Sequence, residues 1–462
     1  MGKKPERTKF LRDFDNAVEH FQDFSKNLYE KVIIISHNDA DGISCLKIIQ
    51  NLLHRKKIDY DYFIYNRSVS WVNYLNGILP KRKSDKLALI FTDVGSNLNE
   101  LLPIISARKE HFYILDHHEV ENEINKDKIP ENLIFVNPTI YGFDGLDDIA
   151  GATLTYMFAK EIKPAIIKQG WLTVIGIAGD SLKSMDKLRS FNKEIYEEIR
   201  GEELIEDNEG LILFGSMQDS IKNGLKHSIL PFIKGYGGTE DNSVIDLLNS
   251  LNIPPERKII ELSNTEIKKI ENLTNAYKGH YALIPHKTGI LKFAFEHALL
   301  LNILSFKNIS SALSMIEHRS ITRYAKGIFL EYISDLTRNM KILSEKLPRF
   351  ETERAIFVDA GNESIPPSNW SDTASFSTVN ELLNPHKILF LGGVEKKTQM
   401  IKLSIRCSRK FLENNDDTGV NKVITRIKSE LGGSGGGHKL AGGLRLSSPS
   451  FKLLKQKIEE YI

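Results

Sequence analysis

The sequence runs to 462 residues, enough material for about three domains with real cores. Hydrophobic residues make up 41%, charged residues 26%, and 62 basic against 60 acidic residues leave a net charge of only +2, which excludes a histone-like or acidic-tail chain and confines any nucleic-acid surface to local patches. Cys45 and Cys407 form no CxxC pair, the opening MGKKPERTKF carries no apolar h-region, and the apolar runs break before about 18 residues, so a disulfide framework, a zinc ribbon, export and a membrane segment are all unexpected and a reducing cytoplasm fits.

In chain order, Phe10, Phe14, Val18, Phe21 and Phe24 recur at helical spacing and predict an amphipathic helix over 8–30. The apolar run 32–35 reads as a buried parallel strand leading into SHNDADG at 36–42, and 43–54 reads as a helix with Asp41 near its positive N-terminus. A short strand follows at 62–65. The run 87–92 ends at Asp93, and 111–115 ends at Asp116, His117 and His118, so three strands deliver ligand-type side chains at their C-terminal ends, where open α/β sheets place their sites. A further strand is predicted over 133–136, and helix over 151–160 continuing through 171–178 to Gly179 and Asp180.

From about 190 to 350 the pattern is helical and charged, and 309–347 predicts one long connecting helix. Strands return at 355–359, 387–391 and 400–407, followed by a helix over 420–431, the stretch GGSGGGHKLAGG at 432–443, a strand at 444–446 and a helix over 452–462. No internal repeat is visible. The basic runs 55–57, 81–83 and 406–410 are candidate anion surfaces, though each also reads as a solvated face. Trp71, Tyr74 and Trp370 are candidates for base stacking, though singly such residues are more often core.

Taken singly, an aspartate at a strand end is a helix cap or a turn former. Together, His37, Asp39, Asp41, Asp93, Asp116, His117, His118 and Asp180 crowd carboxylates that repel unless a proton or a cation sits among them. Oxygen and imidazole donors suit Mn²⁺ or Mg²⁺, and two such ions about 3.5–4 Å apart can clamp an in-line displacement at phosphorus, with Asp93 as the bridging candidate.

These residues resemble the DHH phosphoesterase family, whose name-giving triplet stands here as Asp116, His117 and His118. HNDADG at 37–42 is similar to its first motif, Asp93 in FTDVG to its second and Asp180 in GIAGD to its fourth. The resemblance implies two Mn²⁺ or Mg²⁺ ions, with Asp39 serving the first, Asp93 bridging, and Asp41, His117 and Asp180 serving the second. It further implies that His118 touches the scissile phosphate and that Asp116 supports it. One position departs: where the family often has a histidine four residues before the first aspartate, this chain has Ile35, and His37 either takes that role or binds phosphate.

By composition alone GGSGGG is a flexible linker, but HKLAGG runs straight into a predicted strand. Gly435, Gly436 and Gly437 let backbone N–H groups approach an anion, with His438 and Lys439 as side-chain donors. The stretch resembles the GGGHxxAGG motif of the DHHA1 domain, and SIRCS at 404–408 is similar to that domain's arginine strand, which implies that Arg406 clamps a phosphate.

The fold expected is therefore α/β: a parallel-sheet DHH domain over 1–195 with an N-terminal helix, a helical insertion and connecting helix over 196–350, and a smaller α/β DHHA1 domain over 351–462. This layout is similar to archaeal RecJ-like nucleases, including those that associate with GINS. It implies a two-metal exonuclease on single-stranded DNA or RNA releasing nucleoside 5′-monophosphates in replication or repair. Two other readings stand beside it: a phosphodiesterase of short oligonucleotides or cyclic dinucleotides, and a replisome interaction protein of the same fold.

Overall fold

The computed structural model describes residues 5–27, 30–65, 69–120, 129–181, 183–415 and 418–462. Its elements run α1 (Arg7–Asn27), β1 (Lys31–Ser36), α2 (Ala40–Lys56), β2 (Asp59–Ile64), α3 (Trp71–Ile78), β3 (Leu87–Thr92), α4 (Leu98–Ser106), β4 (His111–Leu115), β5 (Leu133–Val136), α5 (Gly151–Ile162), α6 (Gly170–Asp180), α7 (Ser190–Gly201) and β6 (Glu206–Ile212). There follow α8 (Ile221–His227), α9 (Asp241–Ser250), α10 (Asn264–Leu273), β7 (Tyr277–Leu283), α11 (Ala294–Lys307), α12 (Ile309–Met315), α13 (Arg323–Glu345), β8 (Arg349–Glu351) and β9 (Ala355–Asp359). The chain closes with α14 (Gly361–Ser364), α15 (Trp370–Val379), β10 (Ile388–Val394), β11 (Ile401–Arg406), α16 (Arg409–Asn414), α17 (Val420–Leu431), β12 (Ser434–Gly437), β13 (Ala441–Leu446) and α18 (Ser448–Tyr461). Two compact units result, Met1–Gly210 with Lys278–Phe329, and Leu211–Tyr277 with Leu330–Ile462.

The first unit is built on a parallel sheet in the order β2-β1-β3-β4-β5. Strand side chains alternate between faces, and both faces of β1, β3 and β4 are covered, which is why these strands read as continuous apolar runs, whereas the edge strand β2, expected at 62–65 and found at Asp59–Ile64, is largely exposed. Ile33, Ile35, Leu89, Phe91, Phe112 and Ile114 pack on Trp71 and Leu75 of α3 and Leu98, Leu101 and Ile105 of α4. Tyr113 points the other way, edge-on to Phe21 of α1 and 6.5 Å from the ring of Phe158 of α5. The register sets Ser36 opposite Thr92, Thr92 opposite Leu115 and Leu115 opposite Val136. The residues that leave these strands, His37, Asp93, Asp116 and Asn137, therefore emerge along one line.

The second unit holds a mixed sheet in the order β12-β13-β11-β10-β9-β8, in which β9 and β10 are parallel and the other pairs antiparallel. Phe357, Phe390, Leu403 and Ile405 pack against Val423, Ile424 and Ile427 of α17 and Leu454 and Ile458 of α18. Ile356, Val358, Leu389 and Leu391 bury Leu343 of α13 and Trp370 and Ala374 of α15.

Several expectations need correction. The helix expected over 309–347 is two helices, because Lys287 Nζ donates to the carbonyls of Ile316 and His318 at 2.8 and 2.7 Å and so draws that backbone out of the helix, and the Thr322 hydroxyl accepts from Ala325 N at the start of α13. The region 190–350 contains strands β6 and β7 as well as helices. Helices α5 and α6 are separate, divided by a turn of 3₁₀ helix at Pro164–Gln169, since proline cannot donate to a continuing helix. The helix expected over 8–30 spans Arg7–Asn27, and residues 28 and 29 lie outside the described residues.

Trp71 is 3% exposed with its ring stacked 3.7 Å from Tyr65, Tyr74 packs edge-on to both, and Trp370 is fully buried with its indole N–H on the Ile365 carbonyl, so these aromatics are core. The run 55–57 closes α2, where Lys57 adopts the left-handed conformation and basic side chains face the negative helix end. Among the described residues no helix is long and apolar enough to cross a membrane.

Candidate metal centre

At the C-terminal edge of the parallel sheet, three groups of donor atoms lie within 4.8 Å of one another: His37, Asp39 and Asp93; Asp41, His117 and Asp180; and Asp93, Asp116, His117 and His118. Asp93 and His117 each belong to two groups, so the clusters are continuous. All eight residues expected from the sequence are brought together.

Local structure explains how each is aimed. Asp93 leaves β3 at φ 58, a left-handed turn that aspartate tolerates better than most residues and that swings its carboxylate under the histidines. Asp39 caps α2, one oxygen accepting from Gly42 N at 2.9 Å and the other lying 2.5 Å from His37 Nδ1. Asp41 accepts from Gly151 N and Ala152 N at 2.7 and 2.9 Å, which places its charge on the N-terminus of α5. A Cβ on Gly176 of α6 would stand 2.4 Å from Asp41 Oδ1 and from Ala152 Cβ, so only glycine lets this helix pass the carboxylate.

His117 Nδ1 meets the Gly145 carbonyl at 2.6 Å and must donate to it, which turns Nε2 toward Asp93 at 3.0 Å, Asp180 at 3.4 Å and Asp41 at 3.6 Å. Asp116 accepts from Ser96 N, the Ser96 hydroxyl and His117 N, and lies 2.7 Å from His118 Nδ1. His118 is the most open of the three imidazoles, its side chain 30% exposed against 12% for His37 and 4% for His117. Asn137, at the fourth strand end, donates to the Ser96 hydroxyl and to the His118 carbonyl.

Charge is the unsolved term in this arrangement. Burial and the neighbouring Asp93 push the Asp41 carboxyl up to about 7, and burial with Asp41 nearby raises Asp180 well above the usual range. Burial opposes ionisation of Asp93 too, but His117 and His37 outweigh it and hold that carboxyl well below its ordinary value. The same partnership overcomes burial at the imidazoles: Asp39 and Asp93 raise His37 to about 10, and Asp93 and Asp180 raise His117 well above its ordinary value.

Two carboxylate oxygens, Asp93 Oδ2 and Asp180 Oδ2, are buried with no hydrogen-bond partner among the described residues. A buried acceptor left unpaired costs about 1–3 kcal/mol, more when charged. An oxygen and imidazole donor set with unspent buried carboxylate lone pairs fits a hard divalent cation such as Mn²⁺ or Mg²⁺.

In the second unit, Gly435, Gly436 and Gly437 are not a linker. They form β12, paired with β13 through Gly435↔Leu444, Gly436↔Gly443 and Gly437↔Gly442, and a Cβ on Gly437 would reach 2.3 Å from the Ala441 carbonyl. The intervening turn is pinned by His438 N on the Ala441 carbonyl and by Asn421 N and Val420 N of α17 on the carbonyls of His438 and Lys439. A depression in front of the hairpin is lined by Ser371, Lys402, Arg406, Ser434, His438 and Arg445, among others. Arg406 is already engaged: its guanidinium donates to the Ser375 and Ser371 hydroxyls, each at 2.8 Å, and to the Ile405 and Gly442 carbonyls. Lys410, at the end of the same basic run, is paired with Glu381 at 2.5 Å.

Residues 31–178 match the DHH family N-terminal domain, and residues 356–462 match the DHHA1 domain. An uncharacterized protein of Methanocaldococcus jannaschii is 24% identical over 468 residues, covering 98% of both chains. Among solved structures, CDC45 from Entamoeba histolytica superposes with a TM-score of 0.69 at 12% identity, over 97% of this chain and 98% of that one. RecJ from Thermus thermophilus, solved in complex with Mn²⁺, gives a TM-score of 0.51 at 14% identity, over 97% of this chain and 54% of that one. The two structural likenesses show a shared fold.

Proposed function

For a chain that carries a DHH domain and a DHHA1 domain, we propose the activity of a metal-dependent exonuclease on single-stranded DNA or RNA, hydrolysing phosphodiesters to nucleoside 5′-monophosphates. One observation carries this reading: the donor group His37, Asp39 and Asp93 and the donor group Asp41, His117 and Asp180 are joined by a third, Asp93, Asp116, His117 and His118, which shares Asp93 with the first and His117 with the second. Hydrolysis is assigned to 1–195, substrate grip to 351–462 and connection to 196–350.

Asp39 and His37 would hold one ion, Asp41, His117 and Asp180 a second, and Asp93 both. Bound there, Mn²⁺ or Mg²⁺ supplies Lewis-acid polarisation of the phosphodiester and lowers the pKa of water toward neutrality. The chain's own work is orientation. Gly145 fixes the His117 tautomer by accepting a hydrogen bond from its Nδ1–H, and Asp116 holds the His118 ring so that this more open imidazole meets the scissile phosphate. Gly435, Gly436, Gly437, His438 and Lys439 grip a substrate phosphate, and Arg406, braced by its two serines, adds a fixed positive charge beside them. A replication or repair setting, with GINS or other replisome proteins as partners, belongs to the same proposal.

The test is to incubate the purified protein with Mn²⁺ or Mg²⁺ and single strands labelled at the 5′ or the 3′ end, alongside dinucleotides. Stepwise shortening from one end is expected. Cleavage of dinucleotides alone would move the chain to short oligonucleotides or cyclic dinucleotides, and no cleavage with any substrate would leave the interaction-protein reading.

A further inference from the structure

We propose that Asn302 is a positioning residue that fixes the first turn of α2 and, through it, Asp39 and Asp41. The inference rests on the metal reading above for its consequence, but the brace itself is a contact between protein groups. Ala40 opens α2, so its N–H is among those a helix leaves without an internal partner. Asp39 spends its capping oxygen on Gly42 N instead. The Ala40 N–H is taken by Asn302 Oδ1 at 2.6 Å, from a helix 262 positions away in the chain.

A second observation places the same face of α11 against the other ligand-bearing element. Ala298 lies one turn before Asn302, and a Cβ on Gly179 would come 3.7 Å from Ala298 Cβ and 3.0 Å from Ala40 Cβ. Gly179 immediately precedes Asp180. One turn of α11 therefore abuts both the cap and first turn of α2, which carry Asp39 and Asp41, and the helix end that carries Asp180, and the close approach requires the small residues found there. Carboxylates two residues apart at a helix start keep their geometry only if that turn cannot shift, and outer partners of metal ligands commonly set affinity by about 10–100-fold. The return segment 278–329, which carries no recognisable motif, thus completes the site.

The test uses the full chain with Asn302→Leu, which removes the acceptor at similar size, Asn302→Asp, which keeps it, and Leu300→Ala as a destabilised control on the same helix. Asn302→Ala replaces the leucine variant if that one does not fold. Amide hydrogen exchange is followed without metal in a peptide spanning 37–43. Asn302→Leu is expected to speed exchange at Ala40 about tenfold, as the loss of a buried partner predicts, Asn302→Asp to stay within about threefold, and Leu300→Ala to lower Tm without singling out this peptide. Mn²⁺ titration should then show affinity about 10–100-fold weaker in Asn302→Leu and restored in Asn302→Asp. Unchanged exchange at Ala40 in the leucine variant would overturn the brace. Failure of the unsubstituted chain to bind Mn²⁺ would instead overturn the metal reading, because the exchange measurement needs no ion.

Discussion

The donor cluster of the first unit is buried and acidic, made of side chains launched from aligned strand ends, and it holds more carboxylate oxygens than its own donors satisfy. The hairpin of the second unit is mostly exposed and basic, made largely of backbone, and its turn and the neighbouring Arg406 of β11 are already hydrogen bonded within the unit. On the proposed function, the contrast separates two ways of meeting a phosphate. A buried, under-satisfied cluster should respond sharply to the loss of one atom, because its groups share Asp93 and His117 as partners. A pre-satisfied, solvent-facing hairpin should respond in graded, salt-screened steps.

The largest effect should come from Asp93→Asn, which keeps the shape and tolerates the left-handed backbone while halving the oxygens of the shared ligand. Turnover is expected to fall on the order of 10³-fold or more with little change in thermal melting, and near-normal turnover would remove the distinction between the regions. Next comes pH. His37, raised to about 10, holds a proton that a cation must displace at any lower pH, and Asp41, raised to about 7, adds a second proton below neutrality. Metal binding therefore releases protons, and apparent Mn²⁺ affinity should rise from pH 6 to pH 8 by about tenfold per unit for each proton displaced. Calorimetry in buffers of different ionisation enthalpy counts those protons.

Arg406→Ala should raise KM about tenfold while changing kcat little, as expected for a charge that binds ground state and transition state alike, and the effect should shrink at high salt. The smallest predicted difference sharpens the comparison in stability alone. A Cβ at Gly176 meets Ala152 Cβ and Asp41 Oδ1 at 2.4 Å, the latter held by its backbone N–H donors, whereas one at Gly442 meets the side chains of Ile424 and Val420 at 2.5 and 2.9 Å and the Gly436 carbonyl at 3.0 Å. Gly176→Ala is expected to cost about 1–3 kcal/mol in denaturant unfolding and Gly442→Ala less.

The first unit was legible in the sequence because both faces of its sheet are covered: strands 87–92, 111–115 and 133–136 read as apolar runs and are found at those bounds. The cluster was legible because the strands align in register, so three runs ending in ligand-type residues meant one site. Asn137 leaves the fourth strand end but reads as a turn former after Val136, and nothing local marks its hydrogen bonds to Ser96 and His118. Gly145 and Asn302 act across 28 and 262 positions, a separation at which periodicity carries no signal. The break between α12 and α13 was hidden for the same reason, since the lysine that draws out those carbonyls lies about thirty residues upstream. At the other end of the chain, the glycines suggested an open cradle, whereas strand pairing is what demands several of them.

On the proposed function, the shared carboxylate of Asp93 organises two cations at the strand ends. Mn²⁺ titration of the full chain and of Asp93→Asn, read by calorimetry or by the resonance of free Mn²⁺, tests it most directly. Two ions per chain in the unsubstituted protein and a loss of tight binding in the variant are predicted. Absence of tight binding in the former, or the same stoichiometry and affinity in both, would rule out a metal pair held by Asp93.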